Sequence, residues 1–265
     1  MMDALLHALR GHYRANRRDL PWRHTTDPYR ILVSEMMLQQ TQVERVAPYY
    51  TKFVRRYPSA KSLARAKLSN VLALWQGLGY NRRAKFLHAA AKQIAERGFP
   101  RWVEDIEALP GVGRYTARAV AAFAFNEPVV LVETNVRTVF INHFFKRKKT
   151  VSDKALLPLI ERALQESGME PRDFYAALMD YGSYLKKSGV KVNVKSVHYS
   201  RQAPFAGSAR QLRGAIMREL LKHHATLSML SHGILRSREE IEHELGRLTS
   251  EGMVALRGRY FSIPD

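Results

Sequence analysis

One carboxyl and two amides in a predicted helix have the spacing of a chemical site. Residues 34–42 read Ser-Glu-Met-Met-Leu-Gln-Gln-Thr-Gln, which puts Glu35, Gln39 and Gln42 at i, i+4 and i+7. On a helix these positions share one face, and the hydrophobic neighbours bury part of it. Partial burial raises the pKa of a carboxyl, which suits Glu35 to act as a general acid. A solvated polar stripe is an equally good interpretation of this spacing.

A second candidate site is a glycine hairpin. Residues 109–118 read Leu-Pro-Gly-Val-Gly-Arg-Tyr-Thr-Ala-Arg, in which Gly111 and Gly113 flank one residue. Such a turn adopts positive φ and lets a partner approach the backbone closely. The helix predicted over residues 115–125 begins with free N–H groups, which can bind a phosphate. An ordinary turn between helices is the alternative, but the basic charge of the chain favours phosphate.

A third motif presents an aromatic ring on a rigid turn. The turn Gly-Leu-Gly ends at Tyr80, and Arg82, Arg83 and Lys85 follow it closely. In a protein that binds DNA, such a ring can enter the base stack as a wedge, although it could equally fill a core. The three cations favour the wedge.

The composition restricts the class of partner. Lys and Arg number 43 against 24 Asp and Glu, which gives the 265-residue chain a formal net charge of +19. This excess favours nucleic acid or an anionic membrane surface. No apolar run approaches the about 20 residues of a spanning helix, and residues 1–9 do not resemble a signal peptide. We therefore expect a cytoplasmic, nucleoid-associated monomer that works on DNA and has no membrane partner.

Helical periodicity dominates the chain, and no convincing strand pattern precedes residue 250. The predicted helices of the main body cover residues 3–16, 31–54, 62–74, 83–97, 115–125, 136–145, 156–167 and 171–185. We expect this body, residues 1–185, to be an all-α core.

The C-terminal part has a different character. Residues 186–207 contain five basic residues and no acidic one, as expected of a linker or of a loop lying against DNA. Helices are predicted over 210–223 and 237–249, the second with a capping box of Ser237 and Glu240. A hairpin around Gly258 follows. The pattern predicts a small winged-helix-like module over residues 208–265.

Four ordered motifs carry a resemblance to a known family. They are Leu-Pro-Trp-Arg at 20–23, the segment 34–42, Trp-Gln-Gly-Leu-Gly-Tyr at 75–80 and the hairpin segment 109–117. Together they resemble the helix-hairpin-helix (HhH-GPD) DNA glycosylases, and most of all the MutY-type adenine branch. The resemblance covers about residues 1–185 and implies a two-lobed helical fold, with an active site between the lobes into which a base is flipped.

The resemblance also implies roles for single residues. Glu35 would protonate the leaving adenine, and Asn135 matches an active-site asparagine. Tyr115 stands where related bifunctional enzymes carry a Schiff-base lysine. Since a phenol cannot form an imine, simple hydrolysis without lyase activity is expected. Gly111 and Gly113 would hold a DNA phosphate, with room for an alkali cation shared by backbone carbonyls.

DNA contacts are predicted for a set of polar, aromatic, glycine and basic residues along the chain. The set is Arg23, Gln39, Gln40, Tyr80, Arg82, Arg83, Gly111, Gly113, Arg114, Lys186 and Lys187. Among them Gln39 would probe the base stack and Tyr80 would be the wedge.

Three departures from the family pattern stand out. Glu133 replaces the aspartate that supports the oxocarbenium ion, and Tyr115 and Asn135 are the neighbours expected to hold its longer side chain. A helix-capping role opposite an arginine is the alternative for Glu133. The sequence has no cysteine, which excludes disulfides, cysteine nucleophiles and the family's iron–sulfur cluster. The large domain that reads 8-oxoguanine is missing.

Three functions remain open at this point. The first is a monofunctional glycosylase that removes adenine opposite guanine or 8-oxoguanine. The second keeps the fold but removes thymine or uracil mispaired with guanine, since the shape of the pocket selects the base. The third is a non-catalytic DNA-binding protein that uses the winged helix, against which Glu35 is the main argument.

Overall fold

The structure is a computed structural model that describes residues 1–200 and 204–264. Its described part is mainly helical, as predicted. The α-helices are α1 (Met2–Asn16), α2 (Pro28–Leu38), α3 (Val43–Arg56), α4 (Ala60–Ala64), α5 (Leu68–Trp75), α6 (Arg82–Arg97), α7 (Val103–Glu107), α8 (Arg114–Phe125), α9 (Thr134–Phe144), α10 (Asp153–Glu166), α11 (Pro171–Lys187), α12 (Ala209–Leu220), α13 (Leu227–Gly233) and α14 (Arg238–Ser250). Strands β1 (Ala255–Arg257) and β2 (Tyr260–Ser262) follow, with Leu256 opposite Phe261 in antiparallel register. None of the described helices is both long and apolar enough to cross a membrane.

The described residues form two compact units. The first comprises Met1–Glu35, Pro100–Ala108 and 112–200, and the second comprises Met36–Phe99, Leu109–Gly111 and 204–264. The terminal residues thus group with α3–α6. The predicted division at residues 186 and 208 and the winged-helix assignment of the terminal module stay predictions.

The first unit is built around α9 and α11. Amphipathic spacing on α1 buries Leu5 and Leu9, which join Phe140 of α9 and Phe174 and Tyr175 of α11 in one apolar cluster. Burial of these large side chains supplies most of the driving force that holds the helices together. The cluster thereby fixes the N-terminal end of α9.

A buried ion-pair group joins the loop after α1 to α11. Asp180 is 2% exposed, and both Nη atoms of Arg23 donate to its carboxylate, at 2.7 and 2.8 Å. The Arg18 Nε donates to it as well. Burial opposes ionisation of Asp180, but these donors outweigh it and hold the pKa of the carboxyl below its usual value. Arg23 therefore supports the fold through this ion pair, and its predicted contact with DNA stays a prediction.

The helix predicted over residues 31–54 is broken. The helix α2 ends at Leu38, Gln40 adopts a left-handed φ of +56°, and α3 begins at Val43. Arg83 caps the end of α2, because its Nη1 donates to the carbonyl oxygens of Met36 and Met37 at 2.9 Å each. Carbonyls at a helix end need such partners, and here they come from a distant side chain.

This break corrects the prediction that Glu35, Gln39 and Gln42 share one helical face. Gln39 and Gln42 lie beyond the end of α2, so they do not share a helical face with Glu35. Arg83 is only 7% exposed, and its guanidinium also donates to the carbonyls of Leu78 and Gly79. Burial lowers the pKa of Arg83 to about 10. Arg83 thus supports the fold through its hydrogen bonds to backbone carbonyls, and its predicted contact with DNA stays a prediction.

We expect Arg83→Met to destabilise the protein by about 3 kcal/mol or more, because each buried carbonyl left unpaired costs about 1–3 kcal/mol. Urea unfolding followed by circular dichroism measures the change. The matched control is Arg82→Met, because the Arg82 side chain is 54% exposed and lies 3.7 Å from the Glu251 carboxylate. Loss of such a surface pair costs about 0–1 kcal/mol. Equal losses in the two variants would contradict the capping role.

The second unit packs α3–α6 around aromatic and aliphatic side chains. Phe53 and Trp75 are fully buried and meet edge to face, with ring centroids 5.9 Å apart. The helix predicted over 62–74 is two helices, α4 and α5. A ring nitrogen of His88 is 2.9 Å from the carbonyl oxygen of Ala66 in the turn between them.

The terminal module consists of three helices and the hairpin. Ser237 and Glu240 form the predicted capping box of α14. The short helix α13 was not predicted, because seven residues give too little periodicity. Within the second unit the module contacts α6, because Lys85 of α6 donates to the carbonyl oxygen of Glu251. Inside the module, Arg213 of α12 pairs with the carboxylate of the same Glu251.

Candidate active site

Glu35 is a buried carboxyl in the last turn of α2. It is 5% exposed, and its helix neighbours Val33, Met36 and Met37 are almost completely buried. Burial raises the pKa of Glu35 to about 7; a hydrogen bond from Tyr115 lowers it, and the charge of Glu133 raises it. At neutral pH the Glu35 carboxyl is therefore protonated in a large share of the protein molecules, and it can donate that proton. This is the electrostatic state predicted for a general acid.

Tyr115 supports this carboxyl from the first turn of α8. Its hydroxyl is hydrogen-bonded to Glu35, and burial together with the charges of Glu35 and Glu133 raises the phenol pKa well above its usual value. The phenol consequently stays protonated and acts as a hydrogen-bond donor. The sequence allowed a contact to Glu133, whereas the hydrogen bond is made to Glu35.

Glu133 lies at the N-terminus of α9 as its N-cap. Its Oε1 accepts hydrogen bonds from the backbone N–H of Asn135 at 2.6 Å and of Val136 at 2.8 Å, and its Oε2 is 3.2 Å from Asn135 Nδ2. The capping role is thus present, and Asn135 holds the longer side chain as expected. Burial nevertheless raises the pKa of Glu133. The cap orients a carboxylate that is also part of the electrostatic environment of Glu35 and Tyr115.

Asn135 is packed tightly against α11. A side chain in place of Gly182 would put its Cβ 2.4 Å from the backbone oxygen of Asn135, so only glycine permits this approach. Among the residues that the structure describes, no hydrogen-bond partner reaches the buried Oδ1 of Asn135. Buried acceptors are normally paired, so this unpaired oxygen marks Asn135 as a candidate site residue.

Lys186 stands one turn after Gly182 on α11, and it interacts electrostatically with Glu133. Burial lowers the pKa of the Lys186 ammonium, whereas the charge of Glu133 raises it. The sequence assigned this lysine to DNA. The structure brings it beside the carboxylate, a proximity that no local pattern shows.

For the release of a base that the family resemblance implies, we expect Lys186→Met to shift the acid limb of the rate to higher pH. The ammonium lowers the pKa of Glu133, so its removal raises that pKa further and reduces the ionised fraction at any given pH. Single-turnover rates at saturating enzyme between pH 4.5 and 8.5 measure the shift. Lys187→Met makes the same charge change at the next position. An identical acid limb in the two variants would show that Lys186 does not act on Glu133.

The remaining predicted DNA residues occupy several exposed positions. Tyr80 is 38% exposed with a φ of +49°, and Gln40 is exposed in the turn after α2. Gln39 is half-buried, with its amide 3.6 Å from the Met36 sulfur. Arg114 begins α8 and is exposed, as is Lys187 at the end of α11.

Only one of the two glycine positions in the hairpin requires a glycine. Gly111 has a φ of +74°, and a Cβ there would lie 2.4 Å from the Cβ of Phe86 on α6. Gly113 is the N-cap of α8 with a φ of −99°, which any residue can adopt. Positive φ, expected at both, is therefore needed only at Gly111. The hairpin leads, as predicted, into the N-terminus of a helix, since α8 begins at Arg114 directly after Gly113.

The residues present do not suit an iron–sulfur cluster or a typical metal centre. The sequence contains no cysteine to bind iron. Within residues 1–200 and 204–264, no group of three His, Asp or Glu side chains is placed to hold a metal ion. An alkali cation at the hairpin would use backbone carbonyls and stays a prediction.

The fold and this site define a class of DNA repair protein. Residues 33–166 match the HhH-GPD superfamily of base excision DNA repair proteins, and the chain belongs to this superfamily. The family and branch expected from the four motifs are confirmed.

Individual relatives bear adenine-specific names. The adenine DNA glycosylase of Mycolicibacterium smegmatis is 42% identical over 223 residues, which cover 76% of this chain and 75% of the relative. The adenine DNA glycosylase of Mycobacterium tuberculosis H37Rv is 50% identical over 131 residues, 48% of this chain and 43% of the relative. The chain thus spans three quarters of the first relative and less than half of the second.

Solved structures agree on the fold. The structure of a thermostable thymine-DNA glycosylase is 32% identical, with a TM-score of 0.60, and the match covers 69% of this chain and 86% of that one.

Proposed function

We propose that the protein is a monofunctional DNA glycosylase that hydrolyses the N-glycosidic bond of adenine mispaired with guanine or 8-oxoguanine. The observation that carries this proposal is Glu35, a buried carboxyl with a pKa near 7 that is hydrogen-bonded to Tyr115 and close to the charge of Glu133. The adenine-specific names of the relatives support the choice of base. The partner is double-stranded DNA containing the mispair, bound by a monomer in the nucleoid through a strongly basic surface.

The chemistry follows from the two carboxyls. Glu35 donates its proton to the departing adenine, which lowers the barrier to breaking the C–N bond. Positive charge develops on the sugar, and the Glu133 carboxylate, held by its cap, stabilises that charge electrostatically. Water then adds to the sugar, and the Glu35 carboxylate, ionised by the first step, takes the proton that the water loses. The unpaired Oδ1 of Asn135 is a suitable acceptor for a hydrogen bond from that water.

Contacts with the DNA complete the proposal. The hairpin at Gly111 and Gly113 holds a backbone phosphate at the N-terminus of α8, with an alkali cation on its carbonyls. Tyr80 enters the base stack where the target base has left it. Unstacking makes the flipped base available to the carboxyls.

Thymine opposite guanine is the second candidate substrate. The solved thymine-DNA glycosylase, similar to this chain at 32% identity, favours it. A base-release assay on duplexes containing A·G, A·8-oxoG, T·G and U·G, with A·T as control, separates the two candidates. Release of adenine from the mispairs alone supports the proposal, release of only thymine or uracil supports the second candidate, and no release from any duplex rejects both.

We expect Tyr115→Lys to add strand cleavage at the abasic product. A lysine amine at this position can form an imine with the sugar aldehyde, which the wild-type phenol cannot. Trapping with borohydride and gel electrophoresis measures the covalent complex, with Tyr115→Phe as the variant that lacks both amine and hydroxyl. Efficient trapping of the wild-type protein would overturn the monofunctional assignment.

A further inference from the structure

Tyr80 is held in an unusual conformation at the surface. Its φ of +49° lies in the left-handed region, which residues other than glycine adopt mainly where their surroundings require it. At the same time 38% of the residue is exposed. A strained but accessible aromatic residue is typical of a functional position.

Two arginine side chains contact the ring of Tyr80. The Cζ atom of Arg83 lies 5.4 Å from the ring centroid, and that of Arg210 lies 5.7 Å from it, both within the range of cation–π attraction. Arg210 Nη1 also donates to the Tyr80 hydroxyl at 2.8 Å. The guanidinium of Arg83 is fixed by hydrogen bonds to backbone carbonyls, so its contact with the Tyr80 ring is fixed as well. Arg210 determines where the hydroxyl end points.

Arg210 comes from the terminal module, on helix α12. Arg213, three residues later on the same helix, pairs with Glu251 and, at 3.2 Å, with Glu244. The backbone carbonyl of Glu251 accepts a hydrogen bond from Lys85. Arg82 lies 3.7 Å from the carboxylate of the same Glu251. These contacts lie within the second unit. They fix α12 against α6, and with it the position of Arg210.

We propose that Arg210 is a positioning residue that holds the wedge Tyr80 ready to enter the base stack, and that this is the role of the terminal module. The proposal rests on the wedge role of Tyr80 in the proposed function. Arg210 lies outside residues 33–166, the part of the chain that matches the superfamily. A ring held in place before DNA arrives loses less conformational entropy on insertion, which favours the unstacked complex.

A double-mutant cycle tests this proposal. The variants are Arg210→Ala, Tyr80→Ala and their combination, with Arg218→Ala as the matched control because Arg218 is an exposed arginine on the same helix. Two quantities are measured at saturating enzyme. The first is the single-turnover rate of base release. The second is the fluorescence of a 2-aminopurine beside the target base, and this fluorescence rises when the base stack opens. Saturating enzyme removes effects of simple phosphate binding from both.

We expect Arg210→Ala to reduce the rate and the fluorescence rise about fivefold to twentyfold, and Arg218→Ala to change each less than twofold. In the Tyr80→Ala background, Arg210→Ala should have no further effect, since residues that act through one another are not additive. Arg210→Lys should recover part of the loss, because an ammonium can still donate to the hydroxyl.

Two results would overturn the proposal. Arg210→Ala could behave like Arg218→Ala, or it could lower the rate by the same factor with and without Tyr80. Failure of the proposed function looks different: the wild-type protein then releases no base from any duplex, or Tyr80→Ala leaves both the rate and the fluorescence unchanged. The latter result also removes the basis of the Arg210 role.

Discussion

Glu35→Gln is expected to reduce the rate of base release about 10²–10⁴-fold, the contribution typical of a general acid. Glutamine keeps the size and the hydrogen bond to Tyr115 but has no acidic proton to give. Binding of the duplex should change little, because many phosphate contacts across a chain of net charge +19 supply most of the affinity. Single-turnover rates and a binding titration at the same salt concentration measure the two effects.

The pH dependence provides an independent check on Glu35. With a pKa of about 7, the carboxyl loses its proton as the pH rises through neutrality, so the wild-type rate should fall above about pH 7. The loss of this alkaline limb in the residual activity of Glu35→Gln would identify the group. Turnover that survives in the variant with an unchanged pH profile would place the acid elsewhere.

The same shift predicts a change in stability. The pKa of Glu35 is raised in the folded state from 4.5 to about 7, so the folded protein binds this proton more tightly than the unfolded chain. The stabilisation is fully present below pH 4.5 and is lost as the pH rises through about 7. Glu35→Gln should abolish this part of the pH dependence, and at pH 8 it should be at least as stable as wild type. Thermal unfolding at pH 5 and 8 also establishes that the inactive variant is folded.

Glu133→Gln is expected to lose about 10²–10³ in rate, the range found when one stabilising group is removed from a charged transition state. The structure makes this substitution informative, because the amide oxygen of glutamine can still accept from the N–H groups of Asn135 and Val136. The cap is kept and only the charge is removed. A thermal midpoint near that of wild type, measured beside the single-turnover rate, would separate the electrostatic role from the capping role.

Glu133→Asp should lose less activity than Glu133→Gln. Aspartate is among the best N-cap residues, so it retains both the cap and the charge, displaced by one methylene. Comparing the rates of the two variants therefore shows whether the negative charge or the length of the side chain matters more. If the glutamine variant releases base at the wild-type rate, Glu133 is a capping residue alone, and the sugar cation must be stabilised by another group.

The local sequence was sufficient for the parts of the protein that depend on neighbours along the chain. The apolar spacing of α1, the capping box of Ser237 and the hairpin before α8 are i to i+4 features, and the structure has each of them. The family could likewise be inferred, because the ordered motifs contain Glu35 and the hairpin.

Contacts between residues far apart in the chain decided the rest. Arg83 caps the end of α2 from 44 to 47 positions away, Arg23 reaches Asp180 across 157, and Arg210 reaches Tyr80 across 130. A basic side chain has the same local pattern whether it binds a phosphate, a buried carboxylate or a row of carbonyls. Only the tertiary structure brings one of these acceptors within hydrogen-bond distance, and it gives Arg83 and Arg23 the partners within the fold that no local pattern shows.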